Sequence, residues 1–271
     1  MRDTLHVVMS DMHTGSIYAL TCAEGWQGQK TAVIHPTSLQ QRIRNHFINF
    51  ASVVSVRRKG LPVRLVIDGD LIDGVHHASG DIFTSNWQEM VDLNIGLISE
   101  FQKMIGWQRG DELYITKGTE VHSGDLENYI GQQCNAQMNG DWYAHDLLVL
   151  NTNNVISWFV HHGPSAGKGA NVGNGMVNHL KNIYYSCLKS GEKVPDILYT
   201  GHVHDPIYST YTHGEQNVYS TMHGIILPSW QAKTRYAHMV APVSVNKIGG
   251  ITQLITAVGL IGTPQFCVME T

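Results

Sequence analysis

Aspartate and histidine residues follow several apolar, strand-like segments of this sequence. The segment nearest the amino terminus runs into Asp11 and His13, and a late segment runs into His202 and His204. Residues spaced two apart in an extended chain point to the same side, so each pair can present its polar groups together. Carboxylate oxygens and imidazole nitrogens are ligands of first-row transition metals. Each pair alone is also typical of a polar turn, so the other strand ends must decide between a turn and a metal site.

Three further strand ends carry residues of the same types. One runs into G-D-L-I-D, one into G-T-E-V-H-S-G, and one into H-H-G-P. The residues concerned are Asp70, Asp73, Thr119, Glu120, His122, His161 and His162. Open α/β sheets keep their sites at the carboxyl ends of their strands. We therefore interpret the five ordered strand ends as parts of one metal site.

The elements that must position these residues alternate between strand and helix in the first half of the chain and are mostly strands in the second half. Apolar runs predict strands, and a 3.6-residue periodicity predicts helices. Strands are predicted over 5–10, 63–68, 112–117, 147–151, 155–160 and 196–200, and helices over 37–54, 87–106, 125–134 and 176–189. This order predicts an α/β (α+β) fold of two packed sheets with helices outside, in a single domain over residues 1–271.

The composition limits the classes of protein to consider. Hydrophobic residues make up 42% of the chain, but no apolar run reaches the roughly 20 residues that span a bilayer. The four cysteines form no C-x-x-C, which favours a reducing compartment. A cytoplasmic protein without a membrane partner is expected. The formal net charge is −4, and the one basic cluster, residues 57–59, is expected to be a solvated helix end, so no broad nucleic-acid surface is predicted.

The ordered motifs D-x-H, G-D-x-x-D, G-T-x-x-H, H-G-P and G-H-x-H resemble those of the calcineurin-like metallophosphoesterase superfamily. They extend from Asp11 to His204, which is most of the chain. The first, second and last motifs match closely, and the third departs from the usual G-N-H-D/E. The form G-T-x-x-H-x-G is similar to a variant found in phage-encoded and prophage-like members. The resemblance implies a four-layer α-β-β-α sandwich with two mixed sheets and flanking helices.

The resemblance also implies a ligand set for two divalent transition-metal ions, manganese first, with iron, zinc, cobalt or nickel as alternatives. Asp11, His13 and His204 would hold the first ion. Asp70 would bridge the two ions, and His202 with a histidine at 161 or 162 would hold the second. His162 is preferred, because H-G-P matches the usual wording of this motif.

The third motif leaves alternatives open. Where the superfamily has Asn as a ligand and then His as a leaving-group contact, this chain has Thr119 and Glu120, with His122 two residues later. Thr119 could ligate weakly, Glu120 could replace Asn, and His122 could supply the missing imidazole. We expect Glu120 near the second metal and His122 as the phosphate contact or proton donor. The alternative is that Thr119 caps the helix at 125–134 and His122 is a polar surface residue.

Four positions have assignments of lower specificity. Asp73 is predicted either to stabilise its turn or to orient a catalytic histidine. Thr119, His76 and Lys168 are candidates for substrate binding, with Lys168 in a glycine-rich segment that suits either a lid or a plain loop.

The resemblance implies hydrolysis of phosphoester bonds by a metal-bound hydroxide, with a phosphodiesterase acting on a nucleotide or nucleic acid as the first expectation. A phosphomonoesterase is the alternative, although a protein phosphatase is disfavoured because Gly74 stands where that branch has Arg. A non-catalytic metal-binding scaffold of the same fold is the alternative from another class.

Overall fold

The computed structural model describes most of the chain. The described residues are 1–27, 33–74, 81–84, 86–120, 125–167, 171–215, 218–234 and 247–271.

Within these ranges the chain forms four helices and eleven strands. In chain order they are β1 (Thr4–Ser10), α1 (Ser38–Arg58), β2 (Val63–Asp68), α2 (Trp87–Met104), β3 (Glu112–Thr116), α3 (Leu126–Gln133), β4 (Ala144–His145), β5 (Leu148–Thr152), β6 (Val155–His162), α4 (Asn174–Ser190), β7 (Ile197–Gly201), β8 (Ile207–Glu215), β9 (Val218–Ile226), β10 (Lys247–Ile255) and β11 (Gln265–Glu270).

The strands form two mixed sheets. The first has the order β11-β10-β1-β2-β3-β4, and the second has the order β5-β6-β7-β9-β8. β1, β2, β3 and β4 run parallel to one another, as do β6, β7 and β9, while β10, β11, β5 and β8 pair antiparallel with the strands beside them. The parallel strands carry the polar motifs at their carboxyl ends.

Three clusters of buried apolar residues separate four layers. The first lies between α1, α2, α3 and the six-stranded sheet, and the third lies between α4 and the five-stranded sheet. The middle cluster joins the two sheets, with Val8 and Val66 facing Phe159 and Tyr199. The rings of Phe159 and Tyr199 stack with centroids 4.3 Å apart. The predicted two-sheet α+β sandwich is therefore confirmed.

α1 begins where the sequence predicts but ends later. Thr37 and Gln40 form a capping box, which satisfies amide groups of the first turn. The helix continues to Arg58, whose side chain is buried and donates to both carboxylate oxygens of Asp111 at 3.0–3.1 Å. The expectation that the basic cluster 57–59 is a solvated turn is therefore wrong for Arg58. None of the helices in the described part of the chain has the length and apolar character to cross a membrane.

Candidate metal centre

The carboxyl ends of β1, β2, β6 and β7 meet at one place between the two sheets. The amide of Asp11 donates to the carbonyl of Gly69 at 3.2 Å, and the amide of His13 donates to the carbonyl of Asp70 at 2.9 Å. The amide of His202 crosses to the other sheet and donates to Asp11 Oδ2 at 3.0 Å. These backbone contacts bring separate strand ends together.

Asp11, His13 and His204 form the first group of ligand-type side chains. Nε2 of His204 lies 3.0 Å from Asp11 Oδ1, and Nε2 of His13 lies 3.8 Å from the same oxygen. One candidate ligand atom from each residue lies within 4.8 Å of the others. The structure therefore brings together the three residues that the resemblance assigns to the first metal.

Asp70, His161 and His202 form the second group. Asp70 Oδ2 lies 3.1 Å from His161 Nε2 and 3.9 Å from His202 Nδ1. The same oxygen lies 3.9 Å from Nε2 of His13 in the first group. Asp70 therefore stands between the two groups, where the resemblance implies a bridging carboxylate.

The structure places His161, and not the preferred His162, in this group. Side chains along a strand alternate between its two faces, and Phe159 and His161 are buried on the inner face of β6. His162 is exposed, with its ring centroid 4.9 Å from that of His202. It therefore lies beside the centre and belongs to neither group.

Two acceptors fix the orientation of the buried histidines. Nδ1 of His13 lies 3.3 Å from Asp73 Oδ1, and Nδ1 of His161 donates to the carbonyl of Asp68 at 2.9 Å. A carbonyl only accepts, so the Nδ1 proton of His161 is fixed and the lone pair of a neutral ring lies on Nε2, towards Asp70. Asp73 thus orients a ligand-type histidine, where the sequence suggested a catalytic one.

The third motif places Thr119 at the centre and turns Glu120 away. The Thr119 amide donates to Asp70 Oδ1 at 2.6 Å, and its hydroxyl lies 3.3 Å from Asp70 Oδ2. Glu120 is exposed and belongs to neither group, so the structure does not bring it to the residues expected to hold the second metal. Both contacts of Thr119 are with Asp70. His122, His76 and Lys168 lie outside the described residues, and their assignments stay predictions.

Two buried acidic residues at the centre were not anticipated from the sequence. Asp68 ends β2 and accepts from Thr116 Oγ1 at 2.6 Å. Glu127 lies in the first turn of α3 and accepts from the amides of Gly118 and Leu71. Burial raises the pKa of Glu127 to about 7, together with the charge of Asp70 and against the Gly118 amide. Acidic residues are seldom fully buried, so nothing in the sequence marked Asp68 and Glu127 as residues of the centre.

Left-handed backbone conformations are concentrated at this centre. Asp11, His13, Asp70, His202 and His204 have φ of 52°, 43°, 46°, 66° and 58°. Each such non-glycine residue costs on the order of 1 kcal/mol or more, and such residues cluster at functional sites. All five of these residues belong to the two groups of ligand-type side chains.

The two carboxylates are held in their ionised form. Burial alone would raise the pKa of Asp11, but the charges of His204 and His161 bring it well below its usual value. Burial acts in the same direction on Asp70, and the neighbouring imidazoles of His161 and His202 again lower its pKa. Both residues therefore present negative oxygens at neutral pH.

The pKa values of the two buried histidines of the centre, His13 and His161, are raised by the neighbouring acidic residues. Burial would lower the pKa of His13, but the neighbouring carboxylates of Asp11 and Asp73 raise it to about 10. For His161 burial is likewise outweighed, and the charge of Asp11 with the contact to Asp68 raises the pKa to about 12. The centre therefore attracts positive charge strongly.

The donor set fits two divalent transition-metal ions. Each group offers one carboxylate and two imidazoles, a mixed oxygen and nitrogen set that suits manganese, iron or zinc better than calcium or magnesium. The buried negative charge and the histidine tautomer fixed by Asp68 point to the same kind of ligand.

Comparisons with known proteins add little. No protein-family model matches the chain, and no curated protein matches it. Among solved structures, it is similar to a solution structure of a Thermotoga maritima protein, with 13% identity, 99% of each chain covered and a TM-score of 0.37. A hypothetical protein from Pyrococcus horikoshii is 8% identical, with 99% of this chain and 88% of that chain covered and a TM-score of 0.45. A protein of unknown function from Aquifex aeolicus is 12% identical over 74% and 80% of the chains, with a TM-score of 0.27. Scores this low do not establish a shared fold.

Proposed function

We propose that this protein is a binuclear metal-dependent phosphoesterase of the calcineurin-like type. The observation that carries the proposal is the pair of three-residue groups joined by Asp70, whose Oδ2 lies within 3.9 Å of ligand nitrogens from both. Two metal ions about 3.5–4 Å apart are the arrangement used for phosphoester hydrolysis in many enzymes. The motif order along the chain supports the same reading.

Hydrogen bonds within the protein orient the ligand-type side chains of the centre before a cation binds. Thr119 donates its amide to Asp70 Oδ1, which leaves Oδ2 directed towards the histidines. Asp68 sets the tautomer of His161, so that Nε2 faces the centre. Positioning of this kind lowers the free energy needed to organise a site on binding.

Bound at this centre, two divalent ions would supply Lewis acidity and lower the pKa of a coordinated water. The open side is defined by exposure: the side chains of His202 and His204 are 45% and 27% exposed, whereas that of Asp11 is fully buried. A phosphoester therefore approaches over His202 and His204. His162, exposed beside His202, is placed to contact it.

We propose a phosphodiester substrate, a nucleotide or a short nucleic-acid strand, with manganese as the first choice of metal. The net charge of −4 favours a small substrate over long duplex DNA, because duplex binding depends on many basic contacts with phosphates. Phosphomonoesters are the competing substrate class.

The test is hydrolysis of bis(p-nitrophenyl) phosphate and of p-nitrophenyl phosphate by metal-loaded protein, with elemental analysis of the same sample. We expect two metals per chain, loss of activity with EDTA, recovery with Mn²⁺, and faster diester hydrolysis. Asp70→Asn should abolish activity, and Asp92→Asn, on the surface of α2, is the matched control. Two bound metals with hydrolysis of neither ester would contradict the enzyme and favour a scaffold; absence of metal would contradict the centre itself.

A further inference from the structure

Glu127 is a fully buried carboxylate between two of the strand-end loops. It lies in the first turn of α3, a helix that packs against β3. Its side chain does not belong to either group of ligand-type residues within the described chain. A buried carboxylate without such a role needs another explanation, since its burial is costly.

The contacts of Glu127 reach both loops at once. Oε1 accepts from the amide of Leu71 at 3.2 Å, and Oε2 accepts from the amide of Gly118 at 2.6 Å. Leu71 directly follows Asp70, and Gly118 directly precedes Thr119. The two oxygens therefore join the loop after β2 to the loop after β3.

A second hydrogen bond also joins the loop after β3 to the loop after β2. The amide of Thr119 donates to Asp70 Oδ1 at 2.6 Å. The loops approach so closely that a Cβ on Gly118 would lie 2.1 Å from the Asp70 amide nitrogen. Small displacements of either loop would therefore move the Asp70 carboxylate.

From these contacts we propose that Glu127 is a positioning residue, which sets the distance between the two loops and thereby the orientation of the Asp70 carboxylate at the centre. This inference rests on the proposed metal centre. A carboxylate suits the role because it offers an acceptor oxygen to each amide. A glutamine of nearly the same shape has one acceptor oxygen and an NH₂ group, which would face one of the two amide donors.

The experiment compares Glu127→Gln with Glu89→Gln. Glu89 is also a buried first-turn glutamate, in α2, but it accepts from Thr84 Oγ1 at 2.8 Å, whereas the Leu71 and Gly118 amides donate to Glu127. The first measurement is hydrogen–deuterium exchange of the Leu71 and Gly118 amides in metal-free protein. The second is calorimetric titration with Mn²⁺, which reads the affinity of each metal separately.

In Glu127→Gln we expect at least one of the two amides to exchange about tenfold faster or more, as the loss of a hydrogen bond would allow. We also expect Mn²⁺ affinity to fall about 10–100-fold, the usual result of removing a residue that orients a ligand. Glu89→Gln should leave both readouts at the wild-type values. If Glu127→Gln does not fold, Glu127→Asp provides the same test, because its shorter side chain keeps the charge but cannot reach both amides.

Two results would overturn the inference. Unchanged exchange at both amides would show that Glu127 does not hold the loops, and faster exchange with unchanged Mn²⁺ affinity would show that the loops do not position Asp70. Failure of the metal centre is distinguishable from either, since wild-type protein would then bind no Mn²⁺ while the exchange measurement still decides whether Glu127 joins the loops.

Discussion

His161 and His162 are adjacent, yet their surroundings differ completely. His161 Nε2 lies 3.1 Å from Asp70 Oδ2 and the ring is buried, whereas His162 is exposed. We predict that His161→Asn loses the metal of the second group, with at least about a 100-fold fall in affinity, since loss of an orienting residue alone costs 10–100-fold. His162→Asn should keep both metals. Elemental analysis and Mn²⁺ titration of the two variants measure this difference.

The pair of variants contains its own control, because the same substitution is made at neighbouring positions. A His162→Asn protein that lost a metal while His161→Asn kept two would contradict the assignment. Activity adds a separate readout: if His162 contacts substrate, His162→Asn should raise KM with metal content unchanged.

At this scale the sequence predicted residue types better than side-chain directions. The i, i+2 spacing of Asp11 and His13 was sufficient to predict that they lie together, because it does not depend on the exact end of the strand. The choice between 161 and 162 had no such support, because it followed the wording of the H-G-P motif, whereas the alternation along β6, which extends to His162, buries His161 on the same face as Phe159. A one-residue change in phase reverses the face of a side chain. The contacts of Glu127 join residues far apart in the chain, which no local pattern encodes.

The end of β7 passes the end of β1 at very close range. A Cβ on Gly201 would lie 2.2 Å from Ser10 Oγ and 2.9 Å from Asp11 Oδ2. We predict that Gly201→Ala forces the strand ends apart, with a loss of stability of about 1–3 kcal/mol, as for other overpacked interiors. The Mn²⁺ affinity should fall in the folded variant, because Asp11 must move. Chemical denaturation and Mn²⁺ titration test both expectations, and wild-type affinity in a folded variant would disprove the second.

Replacing a glycine of α2 with alanine should have the opposite effect and stabilise the protein. Gly96 is exposed in the interior of the helix, and a Cβ there would meet nothing within 4 Å. Gly96→Ala should therefore stabilise the protein by about 1 kcal/mol through helix propensity alone. The expected rise in Tm is about 2–4 °C. A fall in Tm, or a change in metal affinity, would be inconsistent with this reading.

The elements themselves were largely predictable, and their ends less so. Thr37 and Gln40 mark the start of α1 through local chemistry, which a sequence displays directly. The end of that helix depends on the burial of Arg58 against Asp111, a contact made across the fold. Sheet order likewise depends on packing between distant segments: β10 pairs with β1 although nearly the whole chain separates them.

The two sheets meet through a core that is apolar except for a few polar groups. His6 is fully buried there, with Nε2 2.9 Å from Thr152 Oγ1 and its ring beside Phe159 and Tyr199. Nearby, Tyr199 donates to Gln253 Oε1 at 2.5 Å, which also crosses between the sheets. Such directional contacts fix how one sheet lies on the other, whereas apolar contacts alone tolerate sliding.

His6 makes the stability of the whole molecule dependent on pH. Burial, with a smaller effect of Arg64, lowers its pKa to about 3 from the usual 6.5. Between these values the unfolded chain binds a proton at this residue and the folded chain does not, so stability falls as the pH decreases from about 6.5 towards 3. At pH 5 the proton bound by His6 in the unfolded chain lowers the free energy of unfolding by about 2 kcal/mol relative to pH 7.

In His6→Gln this part of the pH dependence should disappear, although the variant is less stable at pH 7. Urea unfolding of both proteins at pH 7 and pH 5 isolates the difference, because the metal-centre carboxylates contribute equally to each. Equal losses of stability in the two proteins would show that His6 is protonated in the fold, and that the polar contact between the sheets tolerates the charge.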